Sequence, residues 1–291
     1  MKALIAGVLA RRYLLIVIAV IATPLFPFVT TALLALETAR RGTLEGSLSA
    51  VAGIAGVAVI AWVLGDAMPM LVAFGAVSML AGVGMGALLR WSGALGLAFQ
   101  VTVSGCLIAA VAVTWFGPEP SVFLDPLIQQ LVDAFRESGA SEAELEAIAA
   151  GGAMLFSVIV AAVLLQVIGG LLLGYWWLTL VREATGFGVE FRALKLGRVL
   201  GLTAMVLLAL GLIPGLTAIQ NLSPLVVFCF LFQGLAVLHA WAHAKQWNPF
   251  VTGAAYVLLI PPFTLLGVLG LSTAGLVDNI FDLRAPLRAR P

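Results

Sequence analysis

The residues of this chain with the clearest potential for chemistry are its two histidines, His239 and His243. A spacing of four places both rings on one face of a helix, where such a pair can chelate a metal ion. Two ligands do not complete a zinc site, and the run His-Ala-Trp-Ala-His lacks the glutamate of a metalloprotease motif. The pattern therefore predicts no metal site. Two interpretations stay open for His239: an amphipathic ring at the end of an apolar helix, near Trp241 and Lys245, or a contact to a ligand.

Three glutamines are the next candidates, because each interrupts an otherwise apolar run. They are Gln100, Gln166 and Gln233. A buried amide often bonds to a neighbouring helix and holds the two together. It can also donate to and accept from a small molecule. The sequence leaves both interpretations open for each glutamine.

The carboxyl-terminal region carries Asp278, Asp282 and Arg284 close together. The two acids are one helical turn apart, so they share a face. They could neutralise nearby arginines and cap the last helix, or they could dock a partner protein. Both interpretations stay open.

Motifs of catalysis and nucleotide binding are absent from the sequence. No G-x-S-x-G elbow or S-x-x-K run occurs. Ser78, Gly82 and Gly86 recur every four residues, but neither a preceding strand nor a GK[ST] ending accompanies them, so the pattern is typical of close helix packing and not of a phosphate loop. We therefore predict no catalytic residues, no cofactor and no ATPase activity of the chain's own.

The elements that must position these residues are transmembrane helices. The sequence is 62% apolar and 10% charged, against about 25% charged in an ordinary soluble domain. Its net charge of +1 offers no basic excess for nucleic acid. We predict an all-α, polytopic transmembrane helix bundle in a single domain, residues 1–291, with the lipid bilayer as its solvent.

Hydropathy predicts six full spans and two broken ones. The full spans are 47–64, 68–89, 95–116, 154–181, 199–213 and 222–241. Two further apolar stretches, 13–36 and 250–271, contain Pro24 and Pro27 and then Pro261 and Pro262. Each stretch could cross once with a kink or turn back, which gives 8 to 10 membrane segments. Irregular backbone at membrane depth is tolerated where it is buried in protein or lines a cavity, so these four prolines are candidate markers of a ligand site.

The distribution of basic residues favours turning back. Cytoplasmic loops collect Lys and Arg. If both broken stretches cross, the 15 bases divide into eight inside and seven outside; if both turn back, fourteen lie inside and only Arg136 lies outside. We therefore predict that both termini are cytoplasmic.

The one long loop, 117–150, is acidic and is predicted to face outward. Asp125 and Pro126 are typical of a helix start, and the apolar residues after them mark one face of an amphipathic helix. Ser138 is expected to end that helix, and Ser141 with Glu144 predicts a capping box that opens the next one. The helix could rest on the bilayer surface or cover an outward-facing cavity.

Several short motifs resemble the YybS-like family of bacterial membrane proteins. They are the ending 275–284, the run Phe232-Gln233-Gly234-Leu235-Ala236 with His239, the stretch 27–46 with Arg40-Arg41-Gly42, and Met85-Gly86 through Arg90. The first half of that family is similar to the substrate-binding membrane components of energy-coupling factor vitamin transporters, which are helical and borrow an external ATPase. The same grouping resembles small shape-determining scaffold proteins of the cell envelope. The resemblance implies a multi-pass protein of the bacterial inner membrane.

Two functions follow as predictions. The first is binding or transport of a small neutral or amphipathic molecule, because no charged residue lies in the middle of a predicted full span. Its candidate contacts are the four prolines, Gln100, Gln166, Gln233 and His239. The second is a cell-envelope scaffold that recruits a membrane or cytoplasmic partner protein through Asp278, Asp282 and Arg284.

Overall fold

The computed structural model describes residues 1–65, 69–116, 120–150, 152–182, 186–220 and 222–288. Within these ranges the chain forms helices joined by short connections, and no strand occurs among them. The helices, numbered in chain order, are α1 (Lys2–Ala10), α2 (Arg12–Leu25), α3 (Pro27–Arg41), α4 (Thr43–Leu64), α5 (Pro69–Ser92), α6 (Leu95–Phe116), α7 (Pro120–Glu137), α8 (Glu142–Ala150), α9 (Gly152–Arg182), α10 (Phe187–Arg192), α11 (Arg198–Gly211), α12 (Thr217–Gln220), α13 (Ser223–Ala244), α14 (Pro249–Val257), α15 (Thr264–Phe281) and α16 (Ala285–Arg288). The predicted all-α class is confirmed.

Six of the described helices are long and apolar enough to cross a membrane: α4, α5, α6, α9, α13 and α15. Five coincide with predicted full spans. The predicted span 199–213 corresponds to α11, whose 14 residues give a length of about 21 Å, less than the roughly 30 Å of a hydrocarbon core. The sixth long helix is α15, which begins inside the second proline-broken stretch. The predicted apolar stretch ended at residue 271, whereas α15 continues to Phe281.

The chain divides into two compact units, and each is described by itself. Unit 1 contains Met1–Val103, Leu165–Lys195 and Ala236–Gln246. Unit 2 contains Ser104–Leu164, Leu196–Leu235 and Trp247–Pro291. The single domain predicted from the sequence stays a prediction.

In unit 1 the first proline-broken stretch forms a helical hairpin. Helix α2 ends at Leu25, and α3 begins at Pro27, because a residue before proline is disfavoured in helical backbone. The hydroxyl groups of Thr23 and Thr30 both donate to the carbonyl of Ala19, at 2.8 and 2.9 Å, and so tie the two helices together beside the break. Contacts between the outer ends of α2 and α3, the ends away from the break, agree with an antiparallel hairpin.

At those outer ends, Arg12 at the start of α2 pairs with Glu45, just beyond α3, at 2.7 Å. Arg41 at the end of α3 donates to the carbonyl of Leu9. The first stretch therefore returns to the end of unit 1 where it began, as predicted. Gly42 then connects α3 to α4 with φ +112°, a conformation that residues with a Cβ rarely adopt.

Helix α3 is the most enclosed element of unit 1. Every residue from Thr30 to Ala39 is buried. Glycines on its neighbours allow this close approach: a Cβ at Gly82 of α5 would lie 2.6 Å from the Thr31 carbonyl oxygen, and one at Gly174 of α9 would lie 3.0 Å from the Ala32 carbonyl oxygen. The predicted packing role of the Ser78–Gly82–Gly86 pattern is confirmed.

In unit 2 the second proline-broken stretch also interrupts a helix. Helix α14 ends at Val257 and α15 begins at Thr264, with Pro261 and Pro262 between them. A Cβ at Gly267 would clash with the Leu258 carbonyl, so the chain folds back sharply across the break. The sidedness of both termini stays a prediction.

The acidic segment 120–150 forms α7 and α8 of unit 2. Helix α7 begins before the predicted start, since Asp125 and Pro126 lie inside it. It ends at Glu137, next to the predicted Ser138. The capping box is confirmed: the Glu144 carboxylate accepts from the Ser141 backbone N–H and from its hydroxyl, both at 2.8 Å.

Candidate functional site

The interior of unit 1 contains a cluster of neutral polar groups, which we call the amide–hydroxyl cluster: Thr31 of α3, Ser78 of α5 and Gln166 of α9. The Gln166 side-chain Nε2 lies 2.5 Å from Thr31 Oγ1, 3.2 Å from Ser78 Oγ and 3.3 Å from the Pro27 carbonyl oxygen. The Thr31 hydroxyl in turn donates to the Ser78 carbonyl at 3.0 Å. One amide therefore joins three helices.

The carbonyl oxygen of the Gln166 side chain differs from its amide nitrogen in its hydrogen bonding. Gln166 is 7% exposed, and its carbonyl Oε1 is buried without a hydrogen-bond partner in the described structure. Its amide group, with two N–H donors, already faces three acceptors. A buried acceptor left unsatisfied costs roughly 1–3 kcal/mol. The cluster can thus accept one further donor from a bound molecule.

A charged group lies farther along α3. Glu37 is fully buried, and one carboxylate oxygen lies 3.4 Å from Arg41, whereas Oε2 lacks a partner among the described residues. The sequence-based view that the interior holds no charge is therefore wrong for unit 1. That view considered only the middle of predicted full spans, and Glu37 lies beyond the first broken stretch.

Unit 2 contains a buried cluster of a different kind, which we call the ionic cluster: Gln233 of α13, Asp278 of α15, and Arg284. Arg284 donates to the two Asp278 carboxylate oxygens at 2.7 and 3.2 Å. Gln233 donates to Asp278 at 2.8 Å and accepts from the Leu196 backbone N–H at 3.0 Å. Asp278 and Gln233 are fully buried and Arg284 is 5% exposed, so unit 2 also buries charge.

Small residues make the ionic cluster possible. A Cβ at Gly234, next to Gln233, would clash with the backbone of α15 at Leu271, and a Cβ at Gly275 would clash with the Phe230 carbonyl. The two helices therefore touch backbone to backbone just before Asp278. Asp282 ends α15 in the left-handed conformation, with φ 50°, and the chain turns there to bring Arg284 back.

Apart from Pro27, whose carbonyl accepts from Gln166, the remaining predicted residues lie outside both clusters. Gln100 donates to the Lys195 carbonyl at 2.9 Å, and His239 packs edge-on against Phe191 with ring centroids 5.5 Å apart. Pro24 lies in the last turn of α2. Among the described residues no group of three or more His, Cys, Asp or Glu side chains could hold a metal ion.

Sequence reasoning therefore placed some members of each cluster and missed others. It selected Gln166 but not Thr31, and it treated Ser78 only as a packing residue. It left open an ion pair between Asp278 and a nearby arginine, but it did not join Gln233 to that pair. The missed signal for Glu37 was its spacing of four from Arg41, which is typical of an ion pair on one helix face.

A family assignment covers the whole amide–hydroxyl cluster and, except for Arg284, the ionic cluster. The family model described as "Predicted membrane protein (DUF2232)" matches residues 13–278, and the chain belongs to this family. Searches of curated proteins and of solved structures gave no match. The match and the six long apolar helices identify a multi-pass membrane protein in contact with the lipid bilayer.

Proposed function

We propose that this protein binds a small neutral or amphipathic molecule within the membrane, and that the amide–hydroxyl cluster of unit 1 contributes the polar contacts. The carrying observation is the unsatisfied Oε1 of Gln166. Low dielectric surroundings strengthen a hydrogen bond and raise the cost of leaving an acceptor unpaired. A ligand with an O–H or N–H group relieves that cost.

The chemistry of the cluster supports a neutral ligand group. Thr31, Ser78 and Gln166 are uncharged, and the charged groups of α3 lie beyond Ala35, farther from the break. The cluster also lies near irregular backbone, since the Pro27 carbonyl is one of the acceptors of the Gln166 amide. Half-helices that meet at such breaks are a recurring way to build a substrate site in transporters.

Transport by this protein would depend on energy from elsewhere. The sequence has no phosphate-binding loop. The resemblance to YybS-like proteins, and through them to the substrate-binding components of energy-coupling factor transporters, supports an external ATPase as partner. Fold-level likeness is a weak warrant for activity, so binding is the part of the proposal to test first.

The test is a search for a retained molecule. The protein is purified from membranes in mild detergent, extracted with organic solvent, and the extract is analysed by mass spectrometry. We expect a small molecule in the wild-type extract and its loss from Gln166→Leu, which removes the amide but keeps the volume similar.

Gln100→Leu is the matched control, because Gln100 is also a glutamine in a long apolar helix but bonds elsewhere. It should retain the molecule. An extract without a protein-dependent molecule, or equal retention by Gln166→Leu, contradicts the proposal.

The outer helices favour a second candidate, a cell-envelope scaffold. On α7, Leu131 and Phe135 are 43% and 47% exposed, and a groove of about 520 Å³ lies between Phe135 on α7 and Ala147 and Ile148 on α8. Photo-crosslinkers at Asp133, in α7, and at Asp282 test this function. One specific, abundant partner at either position favours a scaffold. Crosslinks to lipid alone contradict it.

A further inference from the structure

The surface of unit 1 carries a group of arginines at the end of α3. Arg40, Arg90 and Arg182 come from α3, α5 and α9. Arg90 lies 3.5 Å from the Ala39 carbonyl oxygen and 3.3 Å from that of Arg40, and Arg182 lies 3.4 Å from the Ala39 carbonyl oxygen. Two guanidinium groups thus share one acceptor. We call these three residues the arginine cluster.

The positive charge of this cluster is not neutralised by side chains in the described part of the chain. None of the three arginines has a carboxylate oxygen within 4 Å there, whereas the nearby Arg12 and Arg41 pair with Glu45 and Glu37. The negative end of the α3 dipole offsets only about half a charge. All three side chains are exposed, and each guanidinium has five N–H donors, so donors remain for an external anion.

The position of the cluster indicates which anion is available. Arg90 and Arg182 end α5 and α9, two helices long and apolar enough to span the membrane. Trp91, beside Arg90, is 79% exposed, and exposed tryptophans are typical of the level of lipid headgroups. The anionic group at this level of a membrane is the phosphate of a lipid headgroup.

We propose that the arginine cluster binds the phosphate group of an anionic phospholipid. Planar guanidinium groups match phosphate in geometry and charge. Those of Arg90 and Arg182 are held on the Ala39 carbonyl, and Arg40 follows Ala39 in α3, so the three side chains together form a preorganised site for one headgroup. A bound lipid bridges α3, α5 and α9 and relieves the repulsion among the three charges. This site is independent of the ligand site at Gln166.

Native mass spectrometry of the full chain in detergent measures the binding directly. Dioleoyl phosphatidylglycerol is the probe, and dioleoyl phosphatidylcholine is the neutral comparison. We expect phosphatidylglycerol to bind more tightly than phosphatidylcholine. The double variant Arg90→Gln/Arg182→Gln should weaken phosphatidylglycerol binding about tenfold or more, since each basic residue near an anionic surface contributes roughly 1 kcal/mol.

Two controls separate charge from structure. Arg90→Lys/Arg182→Lys keeps both charges and should retain most of the binding. Arg136→Gln removes an exposed arginine of α7 that pairs with Asp133 at 2.9 Å, and it should leave binding unchanged. Equal affinity for both lipids, an equal loss in Arg136→Gln, or full displacement of the lipid by equimolar inorganic phosphate overturns the proposal.

Discussion

Gln166 and Gln233 are both buried glutamines in long apolar helices, yet their amides are used differently. Gln233 in unit 2 is satisfied at both ends, by Asp278 and by the Leu196 backbone. Gln166 in unit 1 donates to three acceptors, but its carbonyl oxygen has no partner among the described residues. A satisfied amide stabilises the fold, whereas an unsatisfied acceptor has capacity for a ligand.

The comparison extends to the way each cluster is held. The ionic cluster of unit 2 is held by opposite charges that leave little surface exposed. Glycines allow close helix packing in both units, but the amide–hydroxyl cluster of unit 1 consists of neutral groups and has no ion pair. Residue type alone does not distinguish the two glutamines; the partners of their amides do. Loss of one charge should therefore destabilise the ionic cluster, and added volume should destabilise the protein wherever glycines bring two helices together.

The largest loss of stability is expected from Arg284→Met. This change leaves the buried Asp278 carboxylate without its cation, and breaking a buried pair from one side costs about 3–5 kcal/mol. The measurement is the midpoint of unfolding in mixed detergent micelles, with unfolding monitored by circular dichroism.

The double variant Asp278→Leu/Arg284→Met is the control for that measurement, because it removes both charges and strands neither. It should recover much of the lost stability. A double variant as unstable as Arg284→Met would show that an unpaired buried carboxylate is not the cause of the loss.

The next largest loss of stability is expected in unit 1 from Gly86→Ala. Its new Cβ would lie 2.5 Å from the Ala35 carbonyl oxygen and 2.6 Å from Thr38 Cβ. Overpacking of this kind costs about 1–3 kcal/mol. Gly84→Ala in the same helix is the matched control, since nothing lies within 4 Å of its Cβ.

Gly84→Ala should be neutral or stabilising by up to about 1 kcal/mol, because alanine favours helix over glycine. Both variants are compared by the same unfolding midpoint. Equal midpoints would contradict the close packing of α5 on α3 and, with it, the enclosure of the amide–hydroxyl cluster.

A smaller loss of stability, and a direct comparison of the two glutamines, is expected from Gln233→Leu and Gln166→Leu. The first leaves the buried Leu196 N–H without a partner and removes one of the two donors to Asp278 Oδ2, and it should cost about 1–3 kcal/mol. The second loses weak interhelical bonds, which average about 0.6 kcal/mol within membranes, and also removes an unsatisfied acceptor. A greater loss of stability for Gln166→Leu would reverse the assignment of structural and ligand-binding roles.

The sequence predicted the parts of this fold that depend on local patterns. Apolar runs of about twenty residues marked five of the long helices, and proline marked both breaks. Gly82 and Gly86 predicted close packing, which depends only on spacing. The length of α15 was missed because its second half, from Ser272 to Phe281, mixes polar and apolar residues.

The clusters depended on contacts far apart in the sequence. Gln166 and Thr31 are separated by 135 residues, and Gln233 and Asp278 by 45. A single sequence shows that each side chain is polar and flanked by apolar residues, but not which helix faces it. For that reason Asp278 and Arg284 were considered for docking a partner protein. They are buried against each other, and a docking role for them and for Asp282 stays a prediction.

The smallest change in stability is expected outside both clusters, at the exposed capping box of α8. Hydrogen bonds from the Ser141 backbone N–H and hydroxyl to the Glu144 carboxylate lower the pKa of Glu144 below its ordinary value of 4.5. Because the pKa is lower in the folded state than in the unfolded state, the ionised carboxylate stabilises α8 at pH values above 4.5. The contribution is lost as the pH falls through the folded pKa.

The unfolding midpoints of wild type and Glu144→Gln, measured between about pH 7 and about pH 3, should differ slightly at the upper end and converge at the lower. Ser141→Ala should remove part of the difference, because it removes the hydroxyl donor and keeps the backbone N–H donor. The Glu144 carboxylate is fully exposed, so solvent screens it, whereas Asp278 in the same unit is buried. If Glu144→Gln destabilised the protein as much as Arg284→Met, burial would not be what makes the ionic cluster strong.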